Sequence, residues 1–167
     1  MADTQLRGAI VNLSCGHPES RHQGLHWPIG GRTVTEADLV NFVSATGMLE
    51  AIFIEVGYEG AAMPGRPVPG ALTYCLIEGF ILQSMIQGTG LAMLELTQHI
   101  HAPVLVGDTI GATVEVTAIK PTSKHGRAVV TSSIEVFNQR GQKVMTYTAK
   151  RLLAGRDSTS VLNSGDL

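Results

Sequence analysis

A glycine- and proline-containing stretch ahead of an apolar helix carries the first residues suited to chemistry. Residues 65–70 read Gly-Arg-Pro-Val-Pro-Gly, and the two prolines force extended backbone before a predicted helix over 71–87. Gly70 and Ala71 would leave backbone N–H groups free at the start of that helix. Such donors and the helix dipole suit an anion or a developing oxyanion. The alternative is that Gly70 only lets the chain turn into a packed helix.

Glu78 is the one charged residue of the predicted helix. A helix that is apolar nearly all round is predicted to be buried. At about 25 Å it is marginal for a bilayer, and Glu78 in its middle favours a core helix. Burial would favour the protonated carboxyl and make it available for proton transfer. Alternatively, Glu78 faces a polar pocket between subunits or pairs with a cation such as Lys150 or Arg151.

Histidines and cysteines give weaker indications of a metal site. His99 and His101 share one face of a predicted strand and could bind a metal or abstract a proton, although an exposed strand face explains them equally well. A second group near the N-terminus comprises Cys15, His17, His22 and His26. Its spacing matches no strong zinc template, and no second cysteine pair is present. We therefore predict no metal and a loose N-terminal arm over residues 1–23.

Basic residues are candidates for anion contacts. Arg66 precedes the predicted helix start and is the better single candidate. A predicted turn further along carries a small basic patch, formed by Lys120, Lys124, His125 and Arg127. Such a patch could hold phosphate groups through charge-assisted hydrogen bonds, or it could be a solvated hairpin tip.

Composition narrows the class of protein. The 167 residues are 44% hydrophobic and 16% charged, with a formal net charge of −2, which predicts one apolar globular domain. The sequence has no excess of basic residues that would favour binding to nucleic acid or to an acidic membrane. Two cysteines give no disulfide framework, and Cys75 is interpreted as a small buried apolar residue. We expect a cytoplasmic location, since no signal peptide is visible, and an oligomer that covers the apolar surplus.

The remaining elements are predicted from caps and periodicity. Thr35 is expected to cap a helix that ends at Gly47, and residues 49–58 could contain a short second helix. Strands are predicted over 91–101, 109–119, 127–138 and 142–153, the last two joined by a hairpin turn at residues 138–141. Residues 24–154 thus form one α+β domain, in which an antiparallel meander wraps the long helix, and residues 155–167 are a disordered tail.

Three stretches resemble the MaoC-like acyl-CoA hydratases and dehydratases. They are residues 31–42 (Gly-Arg-Thr-Val-Thr-Glu-Ala-Asp-Leu-Val-Asn-Phe), residues 65–70 with the long helix, and residues 102–110 (Ala-Pro-Val-Leu-Val-Gly-Asp-Thr-Ile). The resemblance covers roughly residues 33–153. It implies a hot-dog fold, with one long helix wrapped by a curved antiparallel sheet, and assembly into dimers or higher oligomers. It also implies an acyl thioester of CoA or of a carrier protein as ligand, with no cofactor besides the CoA of the substrate.

The sequence departs from the family at its acid–base motif. The family motif Gly-Asp-x-Asn-Pro-x-His corresponds to residues 47–53, where Met48 replaces the aspartate and Phe53 the histidine. Neither side chain transfers protons, so both are expected only to line the substrate site. Glu50 occupies the asparagine position. Glu50 and the nearby Glu55 are candidate acid–base residues, unless they are simply solvated.

The helix start matches the family better. Gly70 corresponds to the glycine whose N–H polarises the thioester carbonyl, while Pro69 stands where histidine is common. Hot-dog thioesterases offer a second resemblance, in which Glu78 falls on the acidic residue that serves as nucleophile or general base. The hypotheses are therefore a hydratase or dehydratase, a thioesterase using Glu78, and a non-catalytic acyl-CoA-binding or partner subunit.

Overall fold

The structure, a computed structural model, describes residues 26–60, 65–123 and 126–155. In chain order these residues form β1 (His26–Thr33), α1 (Glu36–Thr46), α2 (Ala51–Ile54), α3 (Gly70–Ser84), β2 (Gly90–Ile100), β3 (Thr109–Pro121), β4 (Arg127–Asn138) and β5 (Lys143–Ala154). The predicted arm over 1–23 lies outside the described residues, as does the predicted tail beyond residue 155.

Local capping signals fix the first helix. The Thr35 hydroxyl accepts a hydrogen bond from the Asp38 N–H at 3.2 Å, and the Asp38 carboxylate accepts one from the Thr35 N–H at 2.9 Å. This reciprocal pair is a capping box. Gly47 ends α1 in the left-handed conformation, with φ 72°. Both predicted ends of this helix are confirmed, and the ambiguous stretch after it contains the four-residue α2.

The long helix α3 runs from Gly70 to Ser84, three residues shorter at its C-terminus than predicted. Its buried residues lie on one side, at Leu72, Thr73, Ile77, Glu78 and Ile81. Burial on all sides was expected, but a single chain covers only one face, and Leu82 is 50% exposed. The interpretation of Cys75 as a buried residue is wrong for the same reason, because its thiol lies on the uncovered side of the helix.

Five antiparallel strands form one sheet in the order β1-β3-β4-β5-β2. The four predicted strands are confirmed within about two residues at each end. The meander holds only for β3, β4 and β5. Contrary to the prediction, β2 does not lie beside β3 but pairs with β5 at the far edge, and the unpredicted β1 pairs with β3. The sequence did not predict β1 because the strand contains Pro28 and the pair Gly30-Gly31, and proline and glycine are depleted in strands.

The core lies between the sheet and the buried face of α3. Alternate residues of β3 point into it, as the periodicity predicts: Ile110, Ala112, Val114 and Val116. Gly141 makes the predicted hairpin turn with φ 73°. The result is the predicted α+β arrangement of one long helix on a curved antiparallel sheet. Among the described residues, no helix combines the length and apolarity needed to cross a membrane.

Candidate functional site

A cavity of about 340 Å³ lies between α3, the beginning of β2 and the end of β5. Its walls are mostly apolar, and it is lined by Tyr74, Glu78, Leu82, Ile86, Gly90, Leu91, Ala92, Met93, Arg151 and Leu153. A largely apolar cavity with a few polar groups is the usual form of a small-molecule site. The polar groups of this cavity are one ion pair and one tyrosine.

Glu78 forms a buried ion pair with Arg151. The Arg151 Nη2 donates to Glu78 Oε1 at 2.5 Å, and the Tyr147 hydroxyl donates to the same oxygen at 2.7 Å. Glu78 is 8% exposed and Arg151 is 5% exposed. Of the two candidate cations, the structure therefore selects Arg151. Lys150 points to the other face of β5 and pairs with the exposed Glu95 at 2.6 Å.

Two tyrosines, Tyr74 and Tyr147, lie beside this ion pair. The rings of Tyr74 and Tyr147 meet edge to face, with their centroids 5.3 Å apart. Burial, with a further contribution from the Glu78 carboxylate, raises the pKa of Tyr147 above its ordinary value. The same two causes raise the pKa of Tyr74. Both hydroxyls therefore stay protonated at neutral pH, and that of Tyr147 donates to Glu78. Sequence reasoning missed both tyrosines, although the alternating spacing of Tyr147 and Arg151 places them on the same face of β5.

The start of α3 presents free backbone donors. Leu72 N and Thr73 N both donate to Pro69 O, at 2.9 and 3.3 Å, whereas no backbone carbonyl of the described chain accepts from Gly70 N or Ala71 N. Pro69 itself is buried. A Cβ added at Gly70 would lie 2.5 Å from Ile100 Cδ1, so the glycine admits β2 close to the helix. Two N–H groups are thus available to an incoming oxygen atom.

The segment that aligns with the acid–base motif lies apart from the cavity. Met48 is 41% exposed, and Glu50 and Glu55 are both exposed. Phe53 is half-buried and packs against the core. None of these four side chains lines the cavity. The structure therefore does not bring Glu50 or Glu55 together with Glu78.

Arg66 is bonded within the chain. Its Nε donates to the Phe53 carbonyl at 2.7 Å, and its guanidinium also pairs with Glu36. The side chain is largely buried. Arg66 thereby ties the segment before α3 to α1 and α2. Its guanidinium is bonded to groups of the protein itself and is not a free site for an anion.

The remaining candidates stay separate from the cavity. His99 and His101 are exposed, and the His101 Nε2 lies 2.8 Å from the Thr146 hydroxyl oxygen. The described ranges contain no group of three or more metal-ligating side chains. Arg127 begins β4, and its carbonyl accepts from the Thr122 N–H at 2.8 Å. Five candidates lie outside the described residues: Cys15, His17, His22, Lys124 and His125.

A family model described as "FAS1-like, dehydratase domain region" matches residues 23–147. No curated protein matches the chain. A monoamine oxidase regulatory protein from Archaeoglobus fulgidus is 26% identical, with a TM-score of 0.72, over 81% of this chain and 92% of that one.

Two further solved structures are similar. A MaoC-like dehydratase from Rhodospirillum rubrum is 22% identical, with a TM-score of 0.70, over 80% of this chain and 93% of that one. An R-hydratase from Pseudomonas aeruginosa is 24% identical, with a TM-score of 0.66, over 80% of this chain and 82% of that one. At these identities the likeness shows the fold, and the predicted hot-dog arrangement is confirmed.

Proposed function

This chain belongs to the FAS1-like dehydratase domain family of MaoC-like proteins, and from that membership we propose that it holds an acyl thioester for hydratase- or dehydratase-type chemistry. The thioester would be that of CoA or of an acyl-carrier protein. Its carbonyl oxygen would accept hydrogen bonds from Gly70 N and Ala71 N. The observation that carries this proposal is the pair of N–H groups, without a backbone acceptor in the described ranges, at the start of a helix whose side also lines an apolar cavity.

In this proposal the acyl chain follows one side of α3 from the carbonyl site to the cavity. Gly70, Tyr74, Glu78 and Leu82 are spaced four residues apart, so they follow one another along one side of α3. Eight residues of helix separate Gly70 from Glu78 by about 12 Å. An acyl chain whose carbonyl lies at the helix start would run along this side and end beside the ion pair.

The two acid–base residues of the family are both replaced in this chain. Hydration needs a group that delivers the proton and a group that activates water. Met48 and Phe53 can do neither, so in our proposal Glu50 or Glu55 acts with a histidine of a second chain. The same two substitutions favour a second candidate, in which this chain is a non-catalytic subunit that binds the thioester. A thioesterase acting through Glu78 is the third, because that carboxylate lines the cavity.

We also propose that the protein works as a homodimer or a higher homo-oligomer. β2 is an edge strand whose residues are all exposed. Its large apolar side chains are Leu91, Met93, Leu94, Leu96 and Ile100. An exposed apolar edge of this length favours pairing with another chain. Light scattering coupled to gel filtration tests this proposal, and a monomer at micromolar concentration would contradict it.

A matched pair of variants tests the carbonyl site. Gly70→Ala and Gly70→Pro each add a Cβ against Ile100, but only proline removes the N–H. Proline is tolerated at a first helical position, and the extended Pro69 before it, with ψ 137°, suits a following proline. Loss of one hydrogen bond of about 1.4 kcal/mol predicts roughly tenfold weaker acyl-CoA binding in Gly70→Pro than in Gly70→Ala. Equal affinities would contradict the carbonyl site.

Product analysis separates the three candidate functions. The protein would be incubated with saturated and 2-enoyl-CoA esters, and the products identified by mass spectrometry. A water adduct that retains CoA identifies hydratase chemistry, whereas free CoA with a carboxylic acid identifies a thioesterase. An unchanged pool that stays bound to the protein identifies the binding subunit. An unchanged pool with no bound ester would refute the acyl-thioester proposal.

A further inference from the structure

The cavity beside α3 contains polar groups with unused hydrogen-bonding capacity. Arg151 Nε is buried and has no partner within the described chain, and its side chain is only 7% exposed. Glu78 accepts both of its hydrogen bonds on Oε1, which leaves Oε2 as a further acceptor. Tyr74 lines the same cavity with a protonated hydroxyl. A ligand chain that covered Glu78 Oε2 and the Tyr74 hydroxyl without bonding to them would leave two polar groups unpaired, so these groups favour a ligand that can bond to them.

The charges of the cavity decide which polar group fits. Arg151 and Glu78 neutralise each other, so the cavity has no net charge to balance an ionic ligand. A carboxylate attracted by Arg151 would also be repelled by Glu78, and an ammonium group attracted by Glu78 would be repelled by Arg151, so the loss of hydration on burial would not be offset in either case. A neutral hydroxyl has neither penalty. It can donate to Glu78 Oε2 while accepting from the Tyr74 hydroxyl.

We propose that this cavity selects acyl thioesters whose chain carries a hydroxyl group about 12 Å from the thioester carbonyl. The inference rests on the proposed function, because it takes the carbonyl to lie at Gly70 and Ala71. Apolar walls formed by side chains such as Leu82, Met93 and Leu153 hold the methylene groups. The ion pair and Tyr74 then receive the hydroxyl. Arg151, Glu78 and Tyr74 are specificity-determining residues in this assignment, with no part in bond making or breaking.

The test compares three thioesters of equal chain length by calorimetry: decanoyl-CoA, ω-hydroxydecanoyl-CoA and decanedioyl-CoA. The extended ten-carbon chain places its terminal group at about the required distance. We expect ω-hydroxydecanoyl-CoA to bind roughly tenfold more tightly than decanoyl-CoA, since the plain chain leaves the buried polar groups unpaired. Decanedioyl-CoA should bind most weakly of the three, because the neutral ion pair supplies no net positive charge to offset the burial of its carboxylate.

Variants assign the selectivity to the named side chains through the ratio of the two affinities. Tyr74→Phe removes one hydroxyl from a half-buried ring and should reduce the preference for the hydroxylated chain severalfold. Glu78→Gln combined with Arg151→Met removes both charges and should also reduce the preference, because a neutral amide is a weaker hydrogen-bond partner than the carboxylate. Lys150→Met is the control, because Lys150 pairs with Glu95 on the other face of β5. Its affinity ratio should equal that of the unmodified protein.

The outcomes separate this inference from the function on which it rests. If decanoyl-CoA binds as tightly as ω-hydroxydecanoyl-CoA, or more tightly, the inference is refuted while the thioester site stands. A preference that survives unchanged in Tyr74→Phe and in the double variant also refutes it. If the double variant fails to fold, the Tyr74→Phe ratio decides. Absence of binding by all three esters overturns the proposed function and this inference with it.

Discussion

Replacing Arg151 by methionine should destabilise the protein strongly. The substitution keeps most of the side-chain volume but leaves the Glu78 carboxylate buried without its cation. Removal of one partner of a buried ion pair typically costs about 3–5 kcal/mol. The Tyr147 hydroxyl still donates to Glu78 and offsets part of this cost, by about 1 kcal/mol. We therefore expect Arg151→Met to lower the free energy of unfolding by about 3 kcal/mol, near the lower end of that range.

Glu78 and Arg151 should behave as a unit when both are replaced. Glu78→Gln alone leaves a buried guanidinium without its anion and should also be costly. The double variant Glu78→Gln, Arg151→Met carries no charge, and the glutamine oxygen can still accept from Tyr147. Because uncharged replacements of buried pairs are often neutral or stabilising, its stability should lie within about 1 kcal/mol of the unmodified protein. The two substitutions should therefore be strongly non-additive.

Equilibrium urea unfolding at neutral pH measures these differences, with the slope of the transition checked for constancy. Lys150→Met is the matched control on the neighbouring residue, since it breaks only the exposed pair with Glu95 and should cost about 0.2–1 kcal/mol. An Arg151→Met loss below about 1 kcal/mol, additive with Glu78→Gln, would refute the reasoning. Such a result would mean that the pair is solvated and does not depend on mutual neutralisation.

Three further predictions concern stability. The pKa of Asp38 is lowered from 3.8, mainly because the Thr35 backbone N–H donates to its carboxylate. Asp38→Asn should therefore cost about 1 kcal/mol at pH 7, and the difference should shrink as the pH falls below about 4, which unfolding at both pH values measures. Gly79→Ala should stabilise the protein by about 0.8–1 kcal/mol in thermal unfolding, because a Cβ there meets nothing within 4 Å. Gly111→Ala, by contrast, should cost about 1–3 kcal/mol, since its Cβ would lie 3.1 Å from the Ile29 carbonyl oxygen. A loss in the first glycine variant or a gain in the second would contradict these packing arguments.

The sequence by itself determined the features that depend on neighbours within a few residues. Thr35 and Asp38 are three positions apart, and their reciprocal bonds form wherever a helix begins there. Gly47 and Gly141 take the left-handed backbone that few other residues adopt. Alternation along β3 likewise marks its inward face. The start of α3 with its free N–H groups could be read in the same way, because prolines and glycine set it locally.

Tertiary structure alone decided which distant residues meet. The choice of Arg151 over Lys150 as the partner of Glu78 depends on which face of β5 turns toward α3, and the sequence left both open. Tyr147 lies on the same face of β5 as Arg151, so the same strand register places it in the site. The edge positions of β1 and β2 follow from which strands pair across the chain. The exposure of Cys75 follows from how much of one helix a single sheet can cover. Long-range pairing and the area available for cover are properties of the whole chain, so no local pattern encodes them.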